Sequence, residues 1–349
     1  MKGKMWALMK IGPGPGAELR EVDIPELGPD DILVRVRACS ICGSDLHIYQ
    51  WDRWAAGRIR PPLVFGHEFA GEVVAVGQRV DHLKVGQLVS AETHITCGQC
   101  YQCRTGAEHI CSRVAILGVD TDGAFAEYVK IPARNAWPTP AEVAPEIAAI
   151  QEPFGNAVHT VLAGEVTGLR VAVLGCGPIG LMAVALCRAA GAALVIATDV
   201  NAYRLELAAR MGAHLVLDAT RGILDEVRKA THGEGVDVVL EMSGAPAALR
   251  DALRMARNGA RVSLLGIPSE PVSLDIAEDV VFKGLTIQGI SGRRMFETWY
   301  RTRALLASGV VDLSPLITHR FALSQFRAAF ELVASGQCGK VVMFPQGLT

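Results

Sequence analysis

Three closely spaced glycines between an apolar strand and an apolar helix constrain the fold of this chain more than any other feature. Residues 175–180 read Gly-Cys-Gly-Pro-Ile-Gly and directly follow the apolar run 171–174. In such a unit the first glycine allows a tight turn, the second lets a pyrophosphate approach the backbone, and the third lets the helix pack closely on the strand. The context predicts a dinucleotide-binding site, and a plain strand-to-helix turn is the alternative.

The residues after this motif alternate between apolar strands and helical stretches. The alternating segments are 181–190, 194–198, 204–211, 236–241 and 261–265. Alternation of this kind predicts an α/β fold with a doubly wound parallel sheet, the Rossmann arrangement. We assign it to residues 157–295.

The first part of the chain has a different pattern of apolar residues. Short Val- and Ile-rich runs at 32–36, 69–76 and 87–90 are separated by Gly, Pro and Asp, which predicts a β-rich domain. A chain of 349 residues also exceeds the length at which one core usually stops growing. We therefore expect two domains, with 1–156 and the tail 296–349 forming the β-rich one.

The strand at 194–198 is followed by an acidic residue, Asp199. A carboxylate at this place can accept both ribose hydroxyls of NAD and repel the 2′-phosphate of NADP. Arg204 lies close by and keeps NADP open as an alternative, since an arginine is how this fold accommodates the extra phosphate. The predicted cofactor-binding residues of this region are Gly175, Gly177, Ile179, Gly180, Asp199 and Arg204.

Four of the nine cysteines crowd into one short segment: Cys97, Cys100, Cys103 and Cys111. Four thiolates can close a tetrahedral zinc shell with no open position, which is typical of a structural metal site. Free thiols, a redox pair and an iron–sulfur cluster are the alternatives.

A second, dispersed set of residues has the chemistry of an open metal site. Cys42, His67 and Glu152 carry a thiolate, an imidazole and a carboxylate, and three such ligands leave a position for substrate on a catalytic zinc. Each signal alone is more often structural, and their occurrence together with the glycine motif favours catalysis. Ser44 and His47 could form a proton path from a substrate hydroxyl.

The charge and hydropathy of the chain limit the kinds of partner it can have. The net charge is −2 and Lys and Arg form no block, so we expect no nucleic-acid partner. The longest uncharged stretch, 171–187, falls short of a membrane-spanning helix and contains the glycine motif, so we expect no membrane partner either. The N-terminus has no secretory pattern, which together with clustered cysteines predicts a cytoplasmic protein.

With these residues in place, the chain resembles the zinc-containing medium-chain dehydrogenases over nearly its whole length. Gly66-His-Glu-Phe-Ala-Gly-Glu-Val73, the four-cysteine segment and the glycine motif occur in the order and at the distances of that family. The resemblance implies a GroES-like first domain, a Rossmann second domain and a homotetramer. It implies a catalytic zinc on Cys42, His67 and Glu68, with Glu152 in the proton path or exchanging with Glu68. It also implies that the nicotinamide side is lined by Leu265, Gly266, Ile267, Ile290 and Ser291.

Four segments, 40–52, 92–95, 152–157 and 289–300, are similar to those family members that oxidise L-threonine at its 3-hydroxyl. One departure concerns Ser44, where those members usually carry threonine and polyol dehydrogenases carry serine. L-Threonine is the expected small-molecule substrate, and a sorbitol- or butanediol-type dehydrogenase is the alternative. A non-enzymatic NAD-binding protein is the alternative from another class.

Overall fold

The computed structural model describes residues 3–347, which divide into two units. The first contains the described residues up to Glu152 and those from Ile317 onward, and the second spans Pro153–Leu316. This division differs from the predicted limits at 157 and 296, and residues 1, 2, 348 and 349 lie outside the described part. The difference arises because the segment before Ile317 packs in the second unit, where the Thr298 methyl lies beside Gly155.

The first unit is built from antiparallel sheet. Its strands are β1 (Lys4–Lys10), β2 (Glu18–Asp23), β3 (Asp31–Ser40), β4 (Leu63–Val64), β5 (Glu68–Val76), β6 (Leu88–Ala91), β7 (His94–Ile95), β8 (Ala115–Ile116), β9 (Tyr128–Pro132), β10 (Ala136–Pro138), β17 (Ile317–Ala322) and β18 (Lys340–Phe344). Its helices are α1 (Gly43–Gln50), α2 (Arg53–Arg58), α3 (Tyr101–Arg104), α4 (Pro145–Ala149), the start of α5 (Gln151–Val161), and α11 (Phe326–Ser335).

The strands of the main sheet run in the order β10-β6-β5-β3-β18-β17, and β9 also pairs with β3. Only β17 and β18 pair in parallel within it. The predicted strands at 32–36, 69–76 and 87–90 correspond to β3, β5 and β6. Aromatic packing holds α1 against α11, because Tyr49 stacks on Phe330 at 4.4 Å between ring centroids.

The second unit is a parallel sheet with helices between its strands. It contains β11 (Arg170–Leu174), α6 (Pro178–Ala189), β12 (Leu194–Asp199), α7 (Ala202–Arg210), β13 (Leu215–Asp218), α8 (Leu224–Ala230), β14 (Val236–Glu241), α9 (Pro246–Met255), β15 (Ala256–Leu264), β16 (Thr286–Gly289) and α10 (Glu297–Ala307). The strand order is β13-β12-β11-β14-β15-β16, and every pairing is parallel.

Burial explains why these strands read as apolar runs. All six residues of β14 are buried, as a strand covered on both faces requires. Two of the six are charged. The Asp237 carboxylate pairs with Arg170 at 2.9 Å and with Arg257 at 2.5 Å, and Glu241 Oε1 accepts a hydrogen bond from Ser243 N–H at 2.9 Å. The strand order reverses between β11 and β14, and ligands of such sheets bind at the carboxyl ends of the strands there. The predicted doubly wound parallel sheet and the predicted β-rich domain are both present.

None of the helices in the described part of the chain has both the length and the apolar character needed to cross a membrane.

Candidate active site and metal centres

Three of the predicted zinc ligands come together in the first unit. Cys42 is the N-cap of α1, His67 precedes β5, and Glu68 is the first residue of β5. The ligand atoms of Cys42, His67 and Glu68 all lie within 4.8 Å of one another. Thiolate, imidazole and carboxylate at this spacing fit the donor set of a catalytic zinc site.

The turn before β5 depends on a glycine. Gly66 has a φ of +90°, a left-handed conformation, and an added Cβ would lie 2.5 Å from Phe125 Cγ. The backbone conformation and the neighbouring ring both exclude any residue other than glycine at this position. Gly66 therefore allows the adjacent residues His67 and Glu68 to reach the same cluster.

The carboxylate of Glu68 has one satisfied and one unsatisfied oxygen. Its Oε2 accepts hydrogen bonds from Ser40 Oγ and Lys340 Nζ, and Lys340 also donates to Ile41 O at 3.1 Å. Its Oε1 is buried and has no hydrogen-bond partner within residues 3–347. A buried carboxylate oxygen without a partner is costly, so this geometry favours a bound cation.

The electrostatics of the cluster point the same way. Burial lowers the pKa of His67, but the Asp45 carboxylate and the Cys42 thiolate outweigh it and raise that pKa to about 10. Burial also raises the pKa of Asp45 to about 6. The cluster therefore attracts positive charge, and a proton and a metal ion compete for the same ligands.

Asp45 is a site residue that the sequence analysis missed. Its Oδ1 lies 3.6 Å from His67 Nδ1, and its Oδ2 accepts a hydrogen bond from the Cys42 backbone N–H at 2.9 Å. Neither Asp45 Oδ1 nor His67 Nδ1 has a hydrogen-bond partner in the described residues, so Asp45 acts on the imidazole through its charge, which raises the pKa of His67. Its position next to Ser44, a predicted site residue, could have indicated it. Aspartate side chains are usually solvent-exposed, however, and the sequence does not show that this one is buried.

Glu152 occupies a neighbouring place and is not among the three clustered ligands. It is the second residue of α5, and its Oε1 accepts a hydrogen bond from Thr93 Oγ1 at 3.1 Å. Its charge contributes to raising the pKa of His67. The cluster thus contains Glu68, while exchange between Glu68 and Glu152 stays a prediction.

The two residues of the predicted proton path lie on α1. Ser44 is half-buried and His47 is exposed, and their spacing of three residues places them on one side of the helix. His47 Nδ1 lies 2.6 Å from Asp52 Oδ2. The relay through Ser44 and His47 stays a prediction.

The four clustered cysteines form a second candidate metal centre. The Sγ atom of Cys100 lies 3.4 Å from Cys103 Sγ and 3.7 Å from Cys111 Sγ. Cys111 Sγ lies 3.5 Å from Cys97 Sγ. A zinc–sulfur bond of 2.3 Å in a tetrahedron gives a sulfur–sulfur distance of about 3.8 Å. The four thiols therefore fit a closed structural zinc shell.

Backbone donors favour the thiolate form of two of these cysteines, Cys97 and Cys100, whereas burial raises the pKa of Cys103 to about 12. The N–H groups of Cys103 and Ser112 lower the pKa of Cys100 to about 5. Hydrogen bonds from the Gln99 and Cys100 N–H groups lower the pKa of Cys97 to about 7. Thiolates bind zinc and thiols do not, so these donors favour metal binding.

In the second unit, the three glycines of the motif have three distinct surroundings. Gly175 has a φ of +92°, and an added Cβ would lie 2.7 Å from Ser243 Cβ. A Cβ on Gly180 would overlap the carbonyl oxygen of Gly175, whereas one on Gly177 would meet no protein atom within 4 Å. Gly177 is the N-cap of α6, and the free backbone amides of a helix N-terminus can bind an anion such as a phosphate. Gly175 thus allows the tight turn, Gly177 leaves room for a ligand to approach the backbone, and Gly180 allows the helix to pack closely on the loop.

Asp199 ends β12 beside this loop. Its Oδ2 accepts a hydrogen bond from Cys176 N–H at 2.7 Å, and its Oδ1 accepts one from Asn201 N–H at 2.8 Å. Arg204 lies in the first turn of α7, and its Nε is buried without a hydrogen-bond partner in the described residues. Ile179 lies in the first turn of α6. A carboxylate and a guanidinium thus occur on the ribose side of the loop.

The remaining predicted cofactor residues follow β15 and β16. The N–H groups of Leu265 and Gly266 donate to Glu241 O at 2.9 and 3.0 Å, and Ile290 N–H donates to Leu264 O at 2.8 Å. Ile267 and Ser291 are exposed and Ile290 is buried. These residues share the carboxyl edge of the sheet with the glycine loop, and their contact with a cofactor stays a prediction.

Two family models match the chain. The alcohol dehydrogenase GroES-like domain matches residues 28–141, and the zinc-binding dehydrogenase domain matches residues 178–308. The chain belongs to the zinc-binding dehydrogenases with a GroES-like domain, which confirms the predicted family. It is an oxidoreductase that acts on a small-molecule substrate.

Individual proteins refine this membership. The L-threonine 3-dehydrogenase of Bacillus licheniformis is 56% identical over 346 residues, covering 99% of this chain and 100% of that protein. A solved structure of a zinc-binding dehydrogenase from Sinorhizobium meliloti 1021 with bound NADP is 33% identical with a TM-score of 0.90. The match covers 98% of this chain and 100% of that one. The 2R,3R-butanediol dehydrogenase of Bacillus subtilis is 28% identical with a TM-score of 0.89, covering 98% and 99%.

Proposed function

We propose that this chain oxidises L-threonine at its 3-hydroxyl to 2-amino-3-ketobutyrate, with NAD as hydride acceptor. The observation that carries the proposal is 56% identity, over essentially the full length of both chains, to an L-threonine 3-dehydrogenase. The butanediol dehydrogenase has nearly the same fold at 28% identity, so the fold itself does not select the alcohol. A polyol or diol substrate, suggested by Ser44, is the second candidate.

The residues that act on the alcohol lie in the first unit, and those that bind the dinucleotide lie in the second. Zinc held by Cys42, His67 and Glu68 would supply Lewis-acid polarisation of the substrate hydroxyl. Ser44 accepts the hydroxyl proton, and His47 passes it to solvent. The hydrogen on the carbinol carbon leaves with its electron pair as hydride. The backbone at Gly177 and the Asp199 carboxylate bind the dinucleotide that would receive it.

The test is NADH formation by zinc-loaded enzyme with L-threonine, D-threonine, L-serine, sorbitol and 2,3-butanediol side by side. We expect L-threonine to be oxidised far faster than the others. A preference for 2,3-butanediol or sorbitol would replace the substrate and keep the metal assignment, since the cluster is common to both. A Ser44→Thr variant is the matched control, because threonine keeps the hydroxyl at this position.

We also propose a homotetramer located in the cytoplasm. The outer strand β16 and the segment before it expose Val281, Phe282 and Ile287, and an exposed apolar sheet edge favours pairing with another chain. The nine free cysteines fit a reducing compartment. Light scattering across a range of concentrations would measure the mass, and cell fractionation would test the location.

A further inference from the structure

The carboxylate of Asp52 lies against the histidine of the proton path. His47 Nδ1 and Asp52 Oδ2 are 2.6 Å apart, and the other oxygen, Oδ1, accepts a hydrogen bond from Ala55 N–H at 2.9 Å. The two oxygens therefore have separate partners. One fixes the imidazole, and the other caps the start of α2.

The turn that brings these two side chains together is held in an unusual conformation. Trp51 follows α1 with φ 58° and ψ 50°, the left-handed region that bulky residues rarely adopt. The turn is closed by two backbone hydrogen bonds, from Trp51 N–H to Ile48 O at 3.3 Å and from Asp52 N–H to His47 O at 3.4 Å. It reverses the chain, so that the Asp52 side chain reaches the His47 side chain.

A buried cation supports this conformation. Lys10 is almost fully buried, and its Nζ lies 4.9 Å from the ring centroid of Trp51. The same Nζ donates to the carbonyl oxygens of Gly14 and Gly16, the latter at 2.8 Å. Burying a lysine to hold one tryptophan in a strained backbone state is costly, and such strain persists where the surroundings over-determine it, often at functional sites.

We propose that Asp52 is a positioning residue that fixes the tautomer and orientation of His47 for proton transfer. This inference rests on the proposed function, because it assigns His47 to the path from the substrate hydroxyl. With Nδ1–H donated to Asp52, the lone pair of neutral His47 is on Nε2. That atom receives the proton from Ser44 and releases it to water, while the proton on Nδ1 stays between the two side chains.

Stability alone does not explain the pair. The side chains of His47 and Asp52 are 56% and 38% exposed, and exposed ion pairs contribute little to folding. Exposure suits a residue that must exchange its proton with solvent. The function of the contact is therefore orientation of the ring.

Asp52→Asn separates the two functions of the side chain. Only an oxygen can accept the Ala55 N–H, so Oδ1 keeps capping α2 and the new Nδ2 takes the place of Oδ2. Nδ2 then donates to His47 Nδ1, which moves the ring hydrogen to Nε2 and blocks proton acceptance there. Asp52→Ser is the matched control, because serine caps helices well but is too short to reach the ring.

The experiment measures kcat and KM of the zinc-loaded full chain, the solvent deuterium isotope effect on kcat/KM, and the unfolding temperature. We expect Asp52→Asn to lower kcat about tenfold to a hundredfold, within the range of general acid–base effects. The solvent isotope effect should rise, with KM and the unfolding temperature close to wild type. Asp52→Ser should lose less activity, because it leaves the tautomer free.

Three results would overturn the proposal: wild-type turnover in Asp52→Asn, a lower rate with an unchanged solvent isotope effect, or a greater loss in Asp52→Ser than in Asp52→Asn. The substrate is settled first on the wild-type enzyme. If 2,3-butanediol proves to be the substrate, the proposed function fails, and the same comparison of variants runs with that alcohol.

Discussion

Replacing Lys340 with methionine would test how the buried carboxylate of the metal cluster is stabilised. Glu68 is fully buried, and its Oε2 receives Lys340 Nζ and Ser40 Oγ. Removing one partner of a buried ion pair costs about 3–5 kcal/mol, because the other charge is left uncompensated. Methionine fills much of the space of the lysine stem, so loss of packing adds little. The expected penalty is therefore mainly electrostatic.

Thermal unfolding followed by circular dichroism, with a chelator and with added zinc, measures this penalty. Each kcal/mol shifts the unfolding temperature of a domain of this size by about 2–4 °C, so metal-free Lys340→Met should unfold roughly 6–20 °C lower than wild type. Zinc should restore part of the difference, since a bound cation compensates the same carboxylate.

Two variants serve as controls for this prediction. Lys340→Arg keeps the charge and should stay closer to wild type. Adding Glu68→Gln to Lys340→Met should relieve most of the loss, because the uncompensated charge is then gone. An unfolding temperature unchanged by Lys340→Met, or no relief in the double variant, would refute the reasoning.

Three further predictions follow from the second unit and the four-cysteine centre. Gly177→Ala should fold normally and bind NAD more weakly in a fluorescence titration, because its Cβ meets no protein atom, whereas Gly180→Ala should lower stability because its Cβ overlaps Gly175 O. Burial raises the pKa of Asp237, but its two arginine partners outweigh that and hold it below the usual range. Asp237 therefore stabilises the fold above its unfolded pKa of about 3.9, and this contribution is lost as pH falls below it. Urea unfolding between neutral and acid pH should show a smaller loss for Asp237→Asn than for wild type; equal losses would contradict the assignment. Cys100→Ser should reduce bound zinc from two ions per chain to one by metal analysis, and an undiminished zinc content would count against a four-thiolate site.

The parts of the site that lie close together in sequence could be predicted from spacing alone. The glycines at 175, 177 and 180 and the four cysteines belong to single loops, so their order fixes their geometry within narrow limits. The family resemblance supplied Glu68 for the catalytic cluster, whereas the dispersed residues by themselves suggested Glu152. The structure places Glu68 in that cluster and Glu152 beside Thr93.

The partners that tune the cluster could not be predicted. Lys340 reaches Glu68 only because β18 pairs with β3, and long-range strand pairing is not encoded in a local pattern. Asp45 was missed because its burial depends on the packing of α1. The segment 296–316 was assigned with the rest of the tail to the β-rich domain, because its residues do not indicate that it packs in the second unit.

The pairing of Lys340 with Glu68 has a consequence for how the protein is made. The two residues are separated by 272 positions. At about 5–20 residues per second, synthesis of the intervening chain takes roughly 14–54 s, during which the nascent carboxylate has no lysine beside it. Cys42, His67 and Glu68 leave the ribosome long before the strand that neutralises them. The catalytic centre is therefore completed late in translation, and a chain that stops before residue 340 carries its metal ligands without the cation that balances them.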